Sequence, residues 1–267
     1  MHLLVCTKFV VDSNLLQAEP ASGRPDLKRA PFRINTFDEN AIETALQLKA
    51  SHGGRVIAVS LCASAPPKEV MLKALAMGVD ALYLAKHDAG VEADACAIAT
   101  ILADTARGIA RLENLARWDL ILCGEASVDE YNGQVGPRLA EALGLPVVTY
   151  TIRLGLTGSV LRADRALEDR TETVEVELPA VVTVGMEINT PRMPTVLQIM
   201  GAGRKPIVDL APASTSAAPA GVESGIGVLD VISPPSARKQ IAIGGETVTD
   251  KTNELLRRLG ADGEVKF

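Results

Sequence analysis

The sequence predicts an α/β protein built on a Rossmann-like, doubly wound and mostly parallel sheet, with an added β-hairpin and an extended C-terminal arm. Three observations predict this fold class. Short aliphatic runs alternate with helical patterns over roughly the first 150 residues. Most of these runs are continuously apolar, which is typical of parallel strands buried on both faces. Beyond them the pattern changes to strict alternation and then to a proline-rich tail.

Residues that commonly begin or end strands and helices set the bounds of the predicted elements. The predicted strands are Leu3–Phe9, Arg55–Leu61, Ala81–Ala85, Asp119–Gly124 and Pro146–Thr151. We expect helices that begin at Asp38, at Pro66-Pro67, at about Asp94 and just after Asn132. Asp38 is the candidate cap of the first helix, which Gly53-Gly54 ends. This order of strand and helix predicts a ligand crevice at the carboxyl ends of the strands.

The second half of the chain predicts a hairpin and an irregular loop. Residues 159–178 alternate apolar and polar side chains around a turn at Glu168–Arg170, which is typical of an antiparallel hairpin. Ala180–Gly185 is a further buried strand. Residues 186–205 contain two prolines and no helical or strand period, so we expect a loop.

The C-terminal residues predict an arm rather than a second globular domain. Ala211–Ala220 consists almost wholly of Ala, Pro, Ser and Thr, which is a linker composition. A last helix is expected at Asp250–Leu259, with Leu255, Leu256 and Leu259 on one side. We therefore divide the chain into a domain of residues 1–207 and an arm of residues 208–267 that needs another surface to lie on.

Composition excludes several classes of protein. Aromatic residues make up 3% of the chain and the net charge is −6, which argues against nucleic-acid binding. The apolar runs are too short to span a bilayer, and the first strand begins at the N-terminus without a targeting segment. The four cysteines have neither the spacing nor the neighbouring histidines of a metal site. We expect a reducing, cytoplasmic location, without direct insertion into a membrane.

The segment from Gly124 to Pro137 is the most informative candidate site. It follows a buried strand and precedes an amphipathic helix, whose unpaired N–H groups and positive end suit a phosphate. Gly133 and Gly136 would allow a close backbone approach, and Asn132 could cap the helix. A plain strand-to-helix loop with an Asn cap fits the same residues about as well. We find no residue that the pattern marks as catalytic.

Two further segments are expected at the same edge of the sheet. One is Cys6-Thr7-Lys8, at the end of the first strand, and the other is Asn35–Asp38, before the first helix. Taken alone, Lys8 is better explained as a solvated charge and Asn35 as a turn residue. Carboxylates at Glu125, Asp129 and Glu130 could suggest a phosphate-processing metalloenzyme, but we expect no basic partner beside them.

Together these segments resemble the beta subunits of electron transfer flavoproteins. The motifs that carry the resemblance are Lys8–Asp12, Asn35–Glu39, Ala74–Gly78, the loop from Gly124, Leu178–Thr183 and Asn189–Arg192. The resemblance implies an electron-carrier subunit, not an enzyme by itself. It also implies a heterodimer with an alpha subunit that carries FAD, and docking to dehydrogenase or quinone-reductase partners.

The resemblance further implies a bound adenine nucleotide in this subunit, either FAD or AMP. The Gln134-Val135-Gly136-Pro137 sequence is similar to that of FAD-binding, electron-bifurcating members of the family, whereas AMP-binding members usually have Asn-Gln-Thr there. The implied nucleotide contacts are Cys6, Asn35, Thr36, Phe37, Asp38, Leu61, Gly124, Glu125, Ala126, Ser127, Val128, Asp129, Glu130, Tyr131, Asn132, Gly133, Gln134 and Val135.

Partner contacts are predicted on residues 186–205 and on the arm. Ile188 and Met193, beside Pro191, are expected to be exposed apolar anchors of a partner-recognition loop. The arm is expected to lie on the alpha subunit. The competing interpretation is an adenine-nucleotide-binding regulatory module of the stress-protein-like Rossmann class, which would leave the hairpin, the loop and the arm unexplained.

Overall fold

A nine-stranded sheet forms the centre of the molecule. The computed structural model describes residues 1–19, 22–27, 29–62, 65–86, 94–210, 224–233 and 240–263. The strands are β1 (His2–Cys6), β2 (Phe9–Val11), β3 (Phe32–Ile34), β4 (Arg55–Cys62), β5 (Ala81–Lys86), β6 (Leu120–Gly124), β7 (Val147–Thr157), β8 (Val160–Ala166), β9 (Thr171–Glu177), β10 (Ala180–Val184) and β11 (Ile207–Leu210). The helices are α1 (Thr36–His52), α2 (Lys68–Met77), α3 (Ala95–Leu112), α4 (Val135–Leu143), α5 (Val196–Ala202) and α6 (Val248–Ala261), and Met186–Ile188 forms a 3₁₀ turn.

The order of strands in the large sheet is β11-β5-β4-β1-β6-β10-β7-β8-β9. The first seven of these are parallel to their neighbours, and β8 and β9 continue β7 as an antiparallel meander. The chain leaves β1 toward β4 on one side and later returns to β6 on the other. The strand order therefore reverses between β1 and β6, which is where doubly wound sheets bind ligands.

Each face of the sheet buries its own helices because successive strand residues point to opposite sides. Leu3 and Val5 of β1 face α1 and α2, whereas Leu4 and Cys6 face α3 and α4. The predicted fold class is thus confirmed, since the parallel sheet, the covering helices and the hairpin at residues 159–178 are all present.

Several predicted boundaries were wrong. The first strand ends at Cys6, and the chain from Phe9 pairs instead with β3 in a separate two-stranded sheet. Strand β7 runs on to Thr157, because its second half pairs with β8. Helix α1 begins at Thr36 after Asn35, so Asp38 lies in its first turn and is not its cap.

The segment after β10 is more regular than its prolines predict. Thr195 caps α5 by accepting a hydrogen bond from the amide of Gln198, whose side chain reaches back to the Thr195 amide. The predicted loop of residues 186–205 therefore contains a 3₁₀ turn and a helix. Strand β11 then pairs with β5, so the sheet extends to Leu210, beyond residue 207.

The arm is described only in part, and the predicted linker Ala211–Ala220 lies outside the described residues. Residues 224–233 touch this domain through polar contacts, such as the Gly225 amide on the Asp94 carboxylate at 2.8 Å. The terminal helix is longer than predicted, since α6 covers Val248–Ala261 and continues through Gly260.

Candidate functional site

A cleft lies above the carboxyl ends of β1 and β6, where the strand order reverses. Its volume is about 130 Å³. It is lined by Cys6, Thr7, Lys8, Asn35, Asp38, Leu61, Ala95, Ile98, Leu102, Cys123, Gly124, Glu125, Ala126, Ser127, Glu130, Asn132, Gly133, Gln134, Val135 and Gly136.

Asp38 joins the ends of the two strands that frame this cleft. Its carboxylate accepts a hydrogen bond from the Lys8 amide at 2.7 Å and another from the Gly124 amide at 3.1 Å. Burial raises the pKa of this carboxyl to about 7, although the amides of Lys8 and Gly124 and the side chain of Asn35 oppose the shift. Asp38 is therefore a structural tie between β1 and β6 rather than a helix cap.

Asn35 holds the loop that follows β6. Its side-chain amide donates to the Ala126 carbonyl at 2.8 Å, and its side-chain carbonyl accepts from the Val128 amide at 3.0 Å. Because Asn35 is buried, these two bonds satisfy both ends of the side chain. The loop is thus fastened to the start of α1, and Asn35 is more than a turn residue.

Gly124 is required where the loop begins. A Cβ at this position would lie 2.3 Å from the Asp38 carboxylate and 2.7 Å from the Cβ of Phe37. The close approach of β6 to the start of α1 therefore excludes any side chain. Phe37 in turn contacts Tyr131 edge to face, with ring centroids 5.9 Å apart.

The start of α4 forms one wall of the cleft. Gln134 is its N-cap, and Asn132 instead donates its side-chain amide to Glu130 at 3.1 Å, so the prediction that Asn132 caps this helix was wrong. Gly133 has a φ of +64°, and a Cβ there would be in ordinary contact with the Glu125 carbonyl oxygen, at 3.7 Å. Gly136 serves packing, because a Cβ there would lie 2.3 Å from Thr183. The N–H groups of the first helical turn have no partner within the helix.

Lys8 reaches across the mouth of the cleft to the acidic part of the loop. Its ammonium lies 2.9 Å from carboxylate oxygens of both Asp129 and Glu130. Burial alone would lower the pKa of Lys8, but hydrogen bonds to Glu130 and Asp129 and their charges raise it. Contrary to expectation, Lys8 is not simply solvated, and these two carboxylates do have a basic partner.

The floor of the cleft is apolar. Cys6 and Cys123 lie side by side at the ends of β1 and β6, and Leu61 comes from the end of β4. A hydrogen bond with Cys6 and burial both raise the pKa of the Cys123 thiol. Such a floor suits a flat, weakly polar ring, while the polar groups lie at the rim.

Most of the predicted nucleotide contacts lie together in this cleft. Five of them are present nearby without lining it: Thr36, Phe37, Val128, Asp129 and Tyr131. The prediction missed Cys123 at the end of β6, and it missed Ala95, Ile98 and Leu102, which α3 contributes as one helical face. The N-cap Asp94, which accepts from two amides of α3, is the sequence signal that could have placed this helix start beside the cleft.

The predicted partner contacts have different environments. Met193 is 90% exposed, as predicted for an anchor. Ile188 is partly buried against the core that α1 and α2 cover, so the expectation that it stands exposed was wrong. Pro191 is half-buried. Prediction missed the apolar surface of α5, where Val196, Leu197, Ile199 and Met200 are exposed.

A pair of carboxylates borders the cleft on its other side. Glu125 follows β6, Glu187 lies in the 3₁₀ turn, and oxygens of both would be within 3.2 Å of a Cβ at Gly185. Burial raises the pKa of Glu125, and the charge of Glu187 adds to the effect. In the described parts of the chain, no group of three or more potential ligands could hold a metal ion. None of the helices described there is long and apolar enough to cross a membrane.

Comparison with known proteins agrees with this geometry. Residues 27–215 match the electron transfer flavoprotein domain family. The chain is 36% identical over 209 residues to the electron transfer flavoprotein subunit beta of Clostridium acetobutylicum, which covers 78% of this chain and 77% of the relative. It is 35% identical over 206 residues to the subunit of the same name from Thermoanaerobacterium thermosaccharolyticum, covering 77% and 76%. The chain therefore belongs to the electron transfer flavoprotein beta-subunit family, a family of electron carriers.

Proposed function

We propose that this chain binds an adenine nucleotide in the cleft above β1 and β6, as the beta subunit of a heterodimeric electron transfer flavoprotein. One observation carries the proposal. The side chains of Asn35 and Asp38 fasten the loop after β6 and the ends of both strands into one cleft, which joins an apolar floor to a helix start. A base fits the floor, and a phosphate fits the helix start.

The residues present suit such a ligand chemically. Cys6, Leu61 and Cys123 offer a floor without charge, and the α4 start offers backbone N–H groups. Lys8 supplies a cation at the rim, already engaged by two carboxylates that a phosphate would have to displace or share. When bound in an electron transfer flavoprotein, FAD supplies the redox-active ring, and the residues of this chain bind and orient the nucleotide.

FAD is our first candidate, and AMP is the second. The Gln134–Pro137 sequence favours FAD through its resemblance to electron-bifurcating members. Two features of the loop support the same choice. Lys8 offsets one of the two negative charges of Asp129 and Glu130, which lowers their repulsion of a diphosphate. Tyr131, although 65% exposed, packs on Phe37 and does not line the cleft. If FAD is bound here, flavin-based electron bifurcation becomes the function to test.

Docking to redox partners is proposed for the apolar surface formed by Met193 and α5. Five adjacent large apolar side chains are exposed there, in a segment whose flanks are fastened to the domain. Exposed apolar patches on a rigid support are typical of protein interfaces. Dehydrogenases or quinone reductases are the partner classes that the family resemblance implies.

The arm is proposed to lie on the alpha subunit. Its described part exposes Ile226, Val228, Leu229, Val231 and Ile232, while its contacts with this domain are polar. The alternative of a free-standing regulatory module is disfavoured, because the family match includes the hairpin and the segment that carries α5.

Nucleotide analysis of the co-purified heterodimer tests the proposal. The complex is denatured, and its FAD and AMP are quantified against the amount of each subunit. Two FAD per dimer would support the bifurcating type, and one FAD with one AMP would support the plain carrier. One FAD and no second nucleotide in a freshly isolated complex would contradict nucleotide binding by this chain.

A further inference from the structure

A second cavity lies at the opposite end of the sheet, under the amino ends of β6, β7 and β10. Its volume is about 340 Å³, within the range of small-molecule sites. It is lined by Arg107, Ala110, Arg111, Leu115, Ala116, Arg117, Trp118, Ile121, Leu143, Leu145 and Pro179. Among these lining residues are three arginines and no carboxylate.

Only one of the three arginines is engaged by its described neighbours. Arg107 pairs with Asp104 at 3.0 Å and donates to the Ala142 carbonyl at 2.6 Å, so it caps the end of α4. Within the part of the chain that the structure describes, the side chains of Arg111 and Arg117 make neither an ion pair nor a hydrogen bond. Arg107 and Arg111 are one helical turn apart, but Asp104 already balances the charge of Arg107, so the unbalanced positive charge lies on Arg111 and Arg117.

Helix electrostatics explain only part of this cluster. Arg111 lies in the last turn of α3, where the helix dipole favours a cation. Arg117 lies outside the helix, in the connection that leads to β6, and gains nothing from that dipole. Arg111 and Arg117 are both exposed at the rim of the cavity, within reach of a ligand that enters from solvent.

The floor of the cavity is apolar and firmly packed. Trp118 and Ile121 are buried, and the Trp118 indole donates its N–H to the Ala106 carbonyl at 2.9 Å, so no polar group of the indole is left unsatisfied. Leu143 and Leu145 complete the floor from the end of α4. An apolar floor under a guanidinium rim is complementary to a molecule with an apolar body and an anionic head.

We propose that this cavity binds a small amphiphilic anion: a carboxylate on a short alkyl body, with the head on Arg111 and Arg117 and the body over Trp118. Guanidinium groups pair with carboxylates through two parallel hydrogen bonds, which also fixes the direction in which the ligand enters. The site is separate from the nucleotide cleft, since the two lie at opposite ends of β6. It does not depend on the function proposed above.

Tryptophan fluorescence gives a direct test, because Trp118 is the only tryptophan of the chain. The full-length chain is titrated with octanoate, with octanol as the neutral analogue and acetate as the head group alone. We expect a saturable change in Trp118 emission with octanoate at one molecule per chain, and binding of octanol at least about tenfold weaker. Acetate at the same concentrations is expected to cause no change.

Three variants locate the binding site. Arg111→Gln and Arg117→Gln should each weaken octanoate binding about tenfold. Arg153→Gln, which removes an exposed guanidinium from β7, should leave binding unchanged. Equal binding of octanoate and octanol, or unaltered binding by both cavity variants, would overturn the proposal. The titration is repeated by calorimetry on the complex with the alpha subunit, where loss of octanoate binding would also overturn it.

Discussion

Arg192 and Glu43 form a bidentate ion pair between the segment that precedes α5 and helix α1. The Nε and Nη2 atoms of Arg192 lie 2.7 and 3.0 Å from the two carboxylate oxygens of Glu43. One turn away, the Asn40 side chain donates to the Asn189 carbonyl at 2.7 Å. Helix α1 thus fastens the segment that carries the proposed docking surface, and its first turn frames the proposed nucleotide cleft through Asp38.

The pair predicts that Glu43→Gln loosens the docking segment without emptying the cleft. Because Glu43 is buried and Arg192 is partly exposed, we expect the free energy of unfolding to fall by about 1–2 kcal/mol. The partner concentration that gives half-maximal electron transfer should rise, while the nucleotide content stays constant.

Asp164→Asn is the matched control, because it alters a looser surface pair with Arg153 at 3.8 Å. An unchanged dependence of the rate on partner concentration in Glu43→Gln would show that the ion pair does not position the docking surface.

Asp38 and Glu43, two acidic residues of α1, should change the stability of the fold with pH in opposite directions. Burial raises the pKa of Asp38 to about 7, so its contribution to stability is present at acidic pH and is lost as the pH rises through about 7. For Glu43, burial is outweighed by the hydrogen bonds and charge of Arg192 and by Gln47, so its pKa is lowered. Its contribution is present above its unfolded pKa and is lost as the pH falls through the lower, folded pKa.

Denaturant unfolding at a series of pH values measures this difference. In the parent, the free energy of unfolding should decrease by up to about 4 kcal/mol between about pH 4 and pH 7. In Asp38→Asn this decrease should be absent. The variant also loses an acceptor for the amides of Lys8 and Gly124, so the slope with pH is the readout and not the absolute stability. Equal slopes in the variant and the parent would show that Asp38 is not the buried titrating group.

The apolar surface of α5 predicts an effect on docking alone. Met193→Ser and Leu197→Ser should each weaken the redox complex by about 1–3 kcal/mol, because a serine removes an exposed anchor without disturbing the core. Ile188→Ala should instead lower the unfolding temperature, since Ile188 packs against the core. Electron-transfer rates measured over a range of partner concentrations separate these effects. Normal electron-transfer rates in both serine variants would show that the redox partner docks on another surface.

The arm predicts a separation between folding and assembly. A chain truncated after Leu210 retains every strand of the large sheet and should fold with unchanged near-ultraviolet circular dichroism. It should fail to form the heterodimer, because the exposed apolar side chains of residues 224–233 are removed. Sedimentation with the alpha subunit checks this result, and full-affinity assembly by the truncated chain would contradict it.

The fold was predictable where one local pattern decides the structure. Continuous apolar runs identified the parallel strands, and alternation around Glu168–Arg170 identified the hairpin. The site was only partly predictable, because its key contacts join residues far apart in sequence. The sequence around Asp38 predicts a helix cap, yet its carboxylate accepts from the amides of Lys8 and Gly124. The sequence predicts that Gly136 lets the backbone approach a phosphate, yet the close packing of Thr183 already requires a glycine there.

Nucleotide content in two matched glycine variants tests the central claim most directly. Gly133 at the start of α4 and Gly144 at its end have φ values of +64° and +69°, so valine at either position causes similar backbone strain. Only Gly133 lines the cleft. We predict that the Gly133→Val heterodimer lacks the nucleotide of this subunit, while Gly144→Val retains it at equal thermal stability. A Gly133→Val complex with its full nucleotide content would contradict binding at this helix start.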